Sequence, residues 1–131
     1  RIPASRMKMK EIHIVPLSSQ SIKLIRQIAL FSGEREFLFP SQTNSKKSMS
    51  NNTMLFAIYR LGYHSRATSH GFRSTASTIL NENNFRPDII ERQLAHVERN
   101  KVRASYNHAQ YLKERTEMMQ WYGNYLDSLK T

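Results

Sequence analysis

Thr68-Ser69-His70-Gly71-Phe72-Arg73-Ser74-Thr75-Ala76-Ser77-Thr78 is the stretch on which the reading of this chain turns. Ser69 is a good helix N-cap, and the apolar residues Phe72, Ala76, Ile79 and Leu80 recur at helical spacing. A helix is therefore predicted from Ser69 through about Asn81, with those four on its buried side. His70 and Arg73 lie three residues apart, so both side chains share one face of its first turn. An arginine there can grip an oxyanion bidentately, which a lysine cannot do. The commoner fate of either residue is ordinary: a solvated helix arginine, and a histidine beside the cap.

Working outward, Asn81 to Arg86 reads as a turn, and Pro87 at a first helical position opens another helix with Ile89, Ile90 and Leu94 inward. His96 sits at that helix's end. A short helix is expected from Asn100 toward Tyr106. A final helix from about Asn107 carries Tyr111, Leu112, Met118, Met119, Trp121, Tyr122, Tyr125 and Leu126. That apolar stripe suits docking on its own domain or on a neighbour, and core packing is the commoner outcome. Upstream, Ser50 or Asn51 caps a helix with Met54, Leu55, Ile58 and Leu61, closed by Gly62. Ser41 to Ser48 is an exposed polar loop behind the apolar Phe37-Leu38-Phe39-Pro40. Ser18 and Ser19 cap a helix with Ile22, Leu24, Ile25, Ile28, Ala29 and Phe31, stopped by Gly33. Residues 1–17 read as a β-hairpin, with β-branched Ile12, Ile14 and Val15 before Pro16 and a turn around Lys8 to Lys10. The fold class is thus mainly α (α+β): a helical domain with a small N-terminal antiparallel β-hairpin or sheet, in a single domain over residues 1–131.

Composition narrows the function. Lys and Arg number 20 against 10 Asp and Glu, a net charge of +10 with neutral histidines. A compact basic domain attracts polyanions, so nucleic acid is the expected partner. Cysteine is absent, which excludes disulfides and thiolate metal sites. His13, His64, His70, His96 and His108 lack metal-ligand spacing, and the four glycines form no phosphate loop, so no metal or other cofactor is expected. No apolar run approaches a membrane span, and residues 1–10 hold no signal-peptide centre, so a cytoplasmic, nucleoid-associated location without membrane contact is expected.

Three further segments complete a pattern. Glu91-Arg92-Gln93-Leu94-Ala95-His96 places a second histidine after the first box, and Val102-Arg103-Ala104-Ser105-Tyr106 places a tyrosine ten residues beyond it. Near the N-terminus Val15-Pro16-Leu17 follows Lys8 and Lys10. His-x-x-Arg, then Leu-Ala-His, then Tyr, preceded by a lysine and Val-Pro-Leu, resembles the tyrosine recombinases, or phage-type integrases, over nearly the whole chain. Two departures stand out. Ala95 replaces the family's usual glycine, and the family's upstream Arg-x-Gly-Glu motif does not occur in these 131 residues.

The resemblance implies site-specific recombination of double-stranded DNA at attachment sites, by a homotetramer on DNA and through a 3′-phosphotyrosine. Tyr106 would be the nucleophile, with Tyr111 as its rival. Arg73, His70 and His96 would stabilise the charged phosphate in the transition state. Lys8 would protonate the leaving 5′-oxygen, with Lys10 as its rival. On this reading the chain corresponds to the C-terminal part of a catalytic domain, without the first arginine and the core-binding domain, and is expected to be inactive alone. Other readings are a non-catalytic DNA-binding remnant and a type IB topoisomerase-like fragment.

Overall fold

Leu80, Ile89, Ile90 and Met118 are the buried apolar centre of this chain, and three helices supply them. The computed structural model describes residues 1–7, 10–96 and 111–130. Among them are five α-helices: α1 (Ser19–Ser32), α2 (Thr53–Ile58), α3 (Gly71–Glu82), α4 (Pro87–Gln93) and α5 (Leu112–Ser128). The chain divides into two compact units, one of Arg1–Ser19 with Ala76–Thr131, the other of Gln20–Thr75.

In the first unit, Pro87 starts α4 at the expected place, and Ile89 and Ile90 go inward as the periodicity predicts. α4 packs on α5, where Met118 is fully buried. Phe85, Leu94, Tyr111, Met119, Trp121 and Tyr122 close around that cluster. The Met and aromatic stripe of α5 therefore packs on its own chain. Phe85 meets Trp121 edge-on with ring centroids 5.0 Å apart, and Trp121 stacks on Tyr125 at 5.4 Å. The predicted short helix from Asn100 and the first residues of the final helix lie outside the described residues.

A second tie crosses the same unit. Arg115 of α5 is fully buried. Its Nε donates to Gln93 Oε1 at 2.9 Å, and its Nη2 donates to the Ile14 carbonyl. One guanidinium so joins α5, the end of α4 and the N-terminal segment. Burial, and next the charge of Arg92, push its pKa down to about 10. Arg92 Nη1 lies 4.0 Å from Glu11. Ser19 is held by Gln120, whose Oε1 accepts from the Ser19 N–H and whose Nε2 donates to Ser19 Oγ.

The N-terminal hairpin is not seen. Ile2 and His13 form one antiparallel bridge, exchanging N–H···O bonds of 2.7 and 3.0 Å, and no strand grows from it among the described residues. The backbone spends its donors locally instead. Ala4–Arg6 is a 3-10 turn, with Arg6 N–H on the Pro3 carbonyl and Met7 N–H on the Ala4 carbonyl. Lys10, at φ 51°, bonds back to Met7. The class is therefore mainly helical.

In the second unit α1 ends where predicted, with Gly33 in the left-handed region at φ 60°. Its apolar residues do not form a core. Ile22, Leu24, Ile25, Leu30 and Phe31 are exposed, Phe31 to 87%. Ser41–Lys47 and Phe39–Met49 backbone bonds close the exposed loop on a Pro40–Ser48 bridge. An open groove of about 830 Å³ runs between this loop, α1 and α2, with Ile28, Phe31, Phe39 and Phe56 in its walls. α2 continues into a π-helical turn, Tyr59–Tyr63, in which Gly62 takes φ 86° and ends the helix as expected.

Candidate active site

His70 and Arg73 lie together at the start of α3, because the turn there closes in two ways. Thr68 Oγ1 accepts from the Gly71 N–H at 3.0 Å, and the Arg73 N–H donates to the His70 carbonyl. The capping oxygen thus comes from Thr68, one residue before the expected Ser69. Gly71 leaves room for it, since a Cβ there would sit 3.3 Å from that oxygen. His70 is exposed and Arg73 half-buried. Around them is the positive end of the helix dipole, suited to an anion. Phe72, expected on the buried face, is 62% exposed, whereas Ala76 and Ile79 are half-buried and Leu80 is buried. The core begins a turn further along the helix than the periodicity suggests.

His96 is placed by the end of α4. Ala95 lies in the left-handed region at φ 51°. Its N–H bonds to the Arg92 carbonyl at 3.2 Å, and the His96 N–H bonds to the Glu91 carbonyl at 3.0 Å. That pair is a Schellman cap, whose left-handed position favours glycine. The glycine usual at this point in the resembling family, and its replacement by Ala95, so have a structural meaning. The cap turns His96 back along the helix, and its Nδ1 lies 2.6 Å from Glu91 Oε2. Both side chains remain about half exposed.

His70 and Arg73 belong to one compact unit and His96 to the other. Lys8 and Tyr106 lie outside the described residues. Their rivals are described. Lys10 is exposed at its left-handed turn position. Tyr111 packs against the core cluster, with the Arg86 guanidinium 5.3 Å from its ring centre. Three contributors were not expected from sequence: Glu91 on His96, Gln93 on Arg115, and Arg115 itself. Glu91 had a readable signal, an acid five residues ahead of a histidine at a helix end. Arg115 had none, since its burial depends on where three separate segments meet.

The comparisons with known proteins agree with the motifs. The phage integrase family matches residues 1–113. Prophage integrase IntA of Escherichia coli K12 is 46% identical over 124 residues, 95% of this chain and 30% of that protein. The integrase of Shigella phage Sf6 is 44% identical over 127 residues, 96% of this chain and 33% of that protein. The integrase of Enterobacteria phage P4 is 46% identical over 143 residues, covering 97% and 33%. The chain therefore spans about a third of the length of these relatives. No solved structure matches it. With a match over most of its length and relatives at this identity, the chain belongs to the phage integrase family.

Proposed function

We propose that these residues form part of the catalytic domain of a tyrosine-type site-specific recombinase. The observation that carries the reading is the ordered set His70, Arg73, His96, Tyr106 in a member of the phage integrase family. In the proposed step the Tyr106 hydroxyl gives its proton to solvent as its oxygen attacks the scissile phosphorus. The P–O bond to the 5′-oxygen breaks, and that oxygen leaves with a proton from Lys8. A 3′-phosphotyrosine remains. The 5′-hydroxyl of another strand then attacks it and returns its proton to Lys8, and the released Tyr106 oxygen takes a proton from solvent. Arg73 and His70 hold the phosphate oxygens at the start of α3, where the helix dipole adds to their charge. His96 donates to a non-bridging oxygen. The engagement of Tyr111 with the core and with Arg86 supports Tyr106 as the nucleophile. Duplex DNA carrying attachment sites is the proposed substrate, and a homotetramer on DNA the proposed assembly.

The test is a chimera in which residues 1–131 replace the matching third of the Enterobacteria phage P4 integrase. It is incubated with a nicked duplex carrying that integrase's site, so that the cleaved end diffuses away. Covalent protein–DNA adducts are expected, and Tyr106→Phe is expected to abolish them while leaving DNA binding nearly intact. Adducts that persist in Tyr106→Phe contradict the assignment. In the same chimera Lys8→Ala is expected to slow cleavage about 10²–10⁴-fold, the usual loss for a positioned acid. A 5′-bridging phosphorothiolate, whose leaving group needs no proton, is expected to restore the rate. Failure of that rescue moves the role to Lys10.

A further inference from the structure

The turn that leads into α3 carries a cation that the candidate site leaves unused. From Phe37 to Asn81 the chain holds no Asp or Glu, and Lys46, Lys47, Arg60, Arg66 and Arg73 fall in that stretch. Arg66 is exposed, and its guanidinium carbon lies 5.6 Å over the centre of the Tyr63 ring, which is exposed as well. Among the described residues it meets no carboxylate. The turn that presents it is tightly closed. The Arg66 and Ala67 N–H groups both donate to the Tyr63 carbonyl, at 3.0 and 3.1 Å, and the Gly71 N–H donates to the Thr68 carbonyl at 3.0 Å. Ser65 sits at φ 60°, a conformation unfavourable for a residue with a Cβ, and its Oγ lies 3.0 Å from His64 Nδ1. His64 in turn meets the Tyr59 ring edge-on at 4.3 Å. We propose that Arg66, laid on Tyr63, holds a backbone phosphate of the DNA strand that passes His70 and Arg73, within about four nucleotides of the phosphate held by that pair. This rests on the recombinase reading for the identity of the polyanion.

An arginine stacked on an aromatic ring uses the flat face of its guanidinium. Its N–H donors lie in the plane, at the rim, and remain available to an oxyanion. The ring also fixes the long side chain before a partner arrives, so less rotamer freedom is lost on binding. A phosphate and a carboxylate both fit such a fork. Position favours the phosphate. Arg66, His70 and Arg73 belong to one compact unit. Four residues of chain from Arg66 to His70 span at most about 14 Å, and the two turns between them shorten that. A DNA strand rises about 3.4 Å per phosphate. A strand seated at His70 and Arg73 therefore brings further phosphates within reach of Arg66, whereas an acidic protein segment would have to be supplied separately.

Two measurements decide it. The first titrates the 131-residue chain with labelled duplex DNA at several salt concentrations. Arg66→Gln keeps most of the side chain's bulk and removes its charge. It is expected to weaken binding about 10-fold, the size of one charge-assisted hydrogen bond, and to reduce the steepness of log affinity against log salt by about 0.9. Tyr63→Leu removes the ring and leaves the cation, so it is expected to cost about 2–5-fold in affinity with the wild-type slope. Arg35→Gln removes an exposed charge of the same unit that lies between Glu34 and Glu36, and is expected to leave the slope unchanged. A wild-type slope in Arg66→Gln, or an equal loss in Arg35→Gln, overturns the proposal; the first result would leave the Arg66 fork to an acidic protein partner. The second measurement places the contact. The P4 chimera is bound to duplexes of that integrase's site in which one phosphate at a time, within about four nucleotides of the cleavage point, is replaced by an uncharged methylphosphonate. At one position the replacement is expected to weaken the wild type and to cost Arg66→Gln nothing more, the non-additivity of two groups in contact. Additive losses at every position overturn the placement. Failure of the recombinase reading looks different: the chimera forms no adducts, or forms them with Tyr106→Phe, while both binding measurements still decide whether Arg66 holds a phosphate.

Discussion

Ala95 carries a cost that its neighbours do not. A left-handed residue with a Cβ is strained by roughly 1–2 kcal/mol, and the Schellman cap requires that conformation here. Glycine relieves the strain but gives back part of the gain through the entropy of its unfolded chain. Ala95→Gly is therefore expected to stabilise the chain by about 0.5–1 kcal/mol, read as a raised urea midpoint with an unchanged slope. Loss of stability on that change would mean that the end of α4 is not capped in this way. Much of this scale was legible beforehand. His70 and Arg73 share the start of a helix as their spacing requires, and Ile89 and Ile90 are inward. Phe72 was not legible, because the 3.6-residue period gives a face and not the point at which the core stops covering it.

At the scale of elements, α5 shows how ionisable groups enter a small core. Tyr122 is partly buried against the cluster, and burial, with the neighbouring Tyr125 next, raises its pKa above the ordinary value of 10.0. A raised phenol favours the fold while it stays protonated, so its contribution is complete below pH 10 and is lost as pH rises through the folded value. Arg115 works the other way. Its value is lowered to about 10, so folding opposes its charged form below that pH, and the fold gains as pH climbs above it. The two effects overlap, and a difference separates them. Wild type minus Tyr122→Phe is expected to shrink as pH rises above 10 in urea titrations; a constant difference contradicts the burial of this phenol. The N-terminal hairpin failed at this same scale. Ile12, Ile14 and Val15 have strand propensity, but after the Ile2–His13 pair the next residue to face the partner is Ala4, because alternate residues bond across a ladder. Ala4–Arg6 curls into a 3-10 turn instead. Arg115 was missed for a related reason. Its two partners, Gln93 and Ile14, lie on segments far from it in sequence, and no local pattern announces them.

Over the whole molecule, charge sets the first behaviour to measure. A net charge of +10 on 131 residues predicts salt-dependent, sequence-indifferent binding to duplex DNA. Each phosphate neutralised is expected to add about −0.9 to the slope of log affinity against log salt. Absence of binding at low salt removes the physical basis for a DNA-facing surface. The family was legible from motifs spread from Lys8 to Tyr106, because the spacing of chemically specific residues survives where helix ends and caps shift by a residue or two. The assignment of individual roles rests on chemistry that those motifs imply, and one link in it is open to direct observation. In the P4 chimera, adducts trapped on the nicked duplex are digested with nuclease and protease, and the nucleotide-bearing peptide is sequenced by tandem mass spectrometry. The account predicts the nucleotide on Tyr106, within Val102-Arg103-Ala104-Ser105-Tyr106. A nucleotide on Tyr111, or an adduct with no modified peptide from this chain, contradicts it.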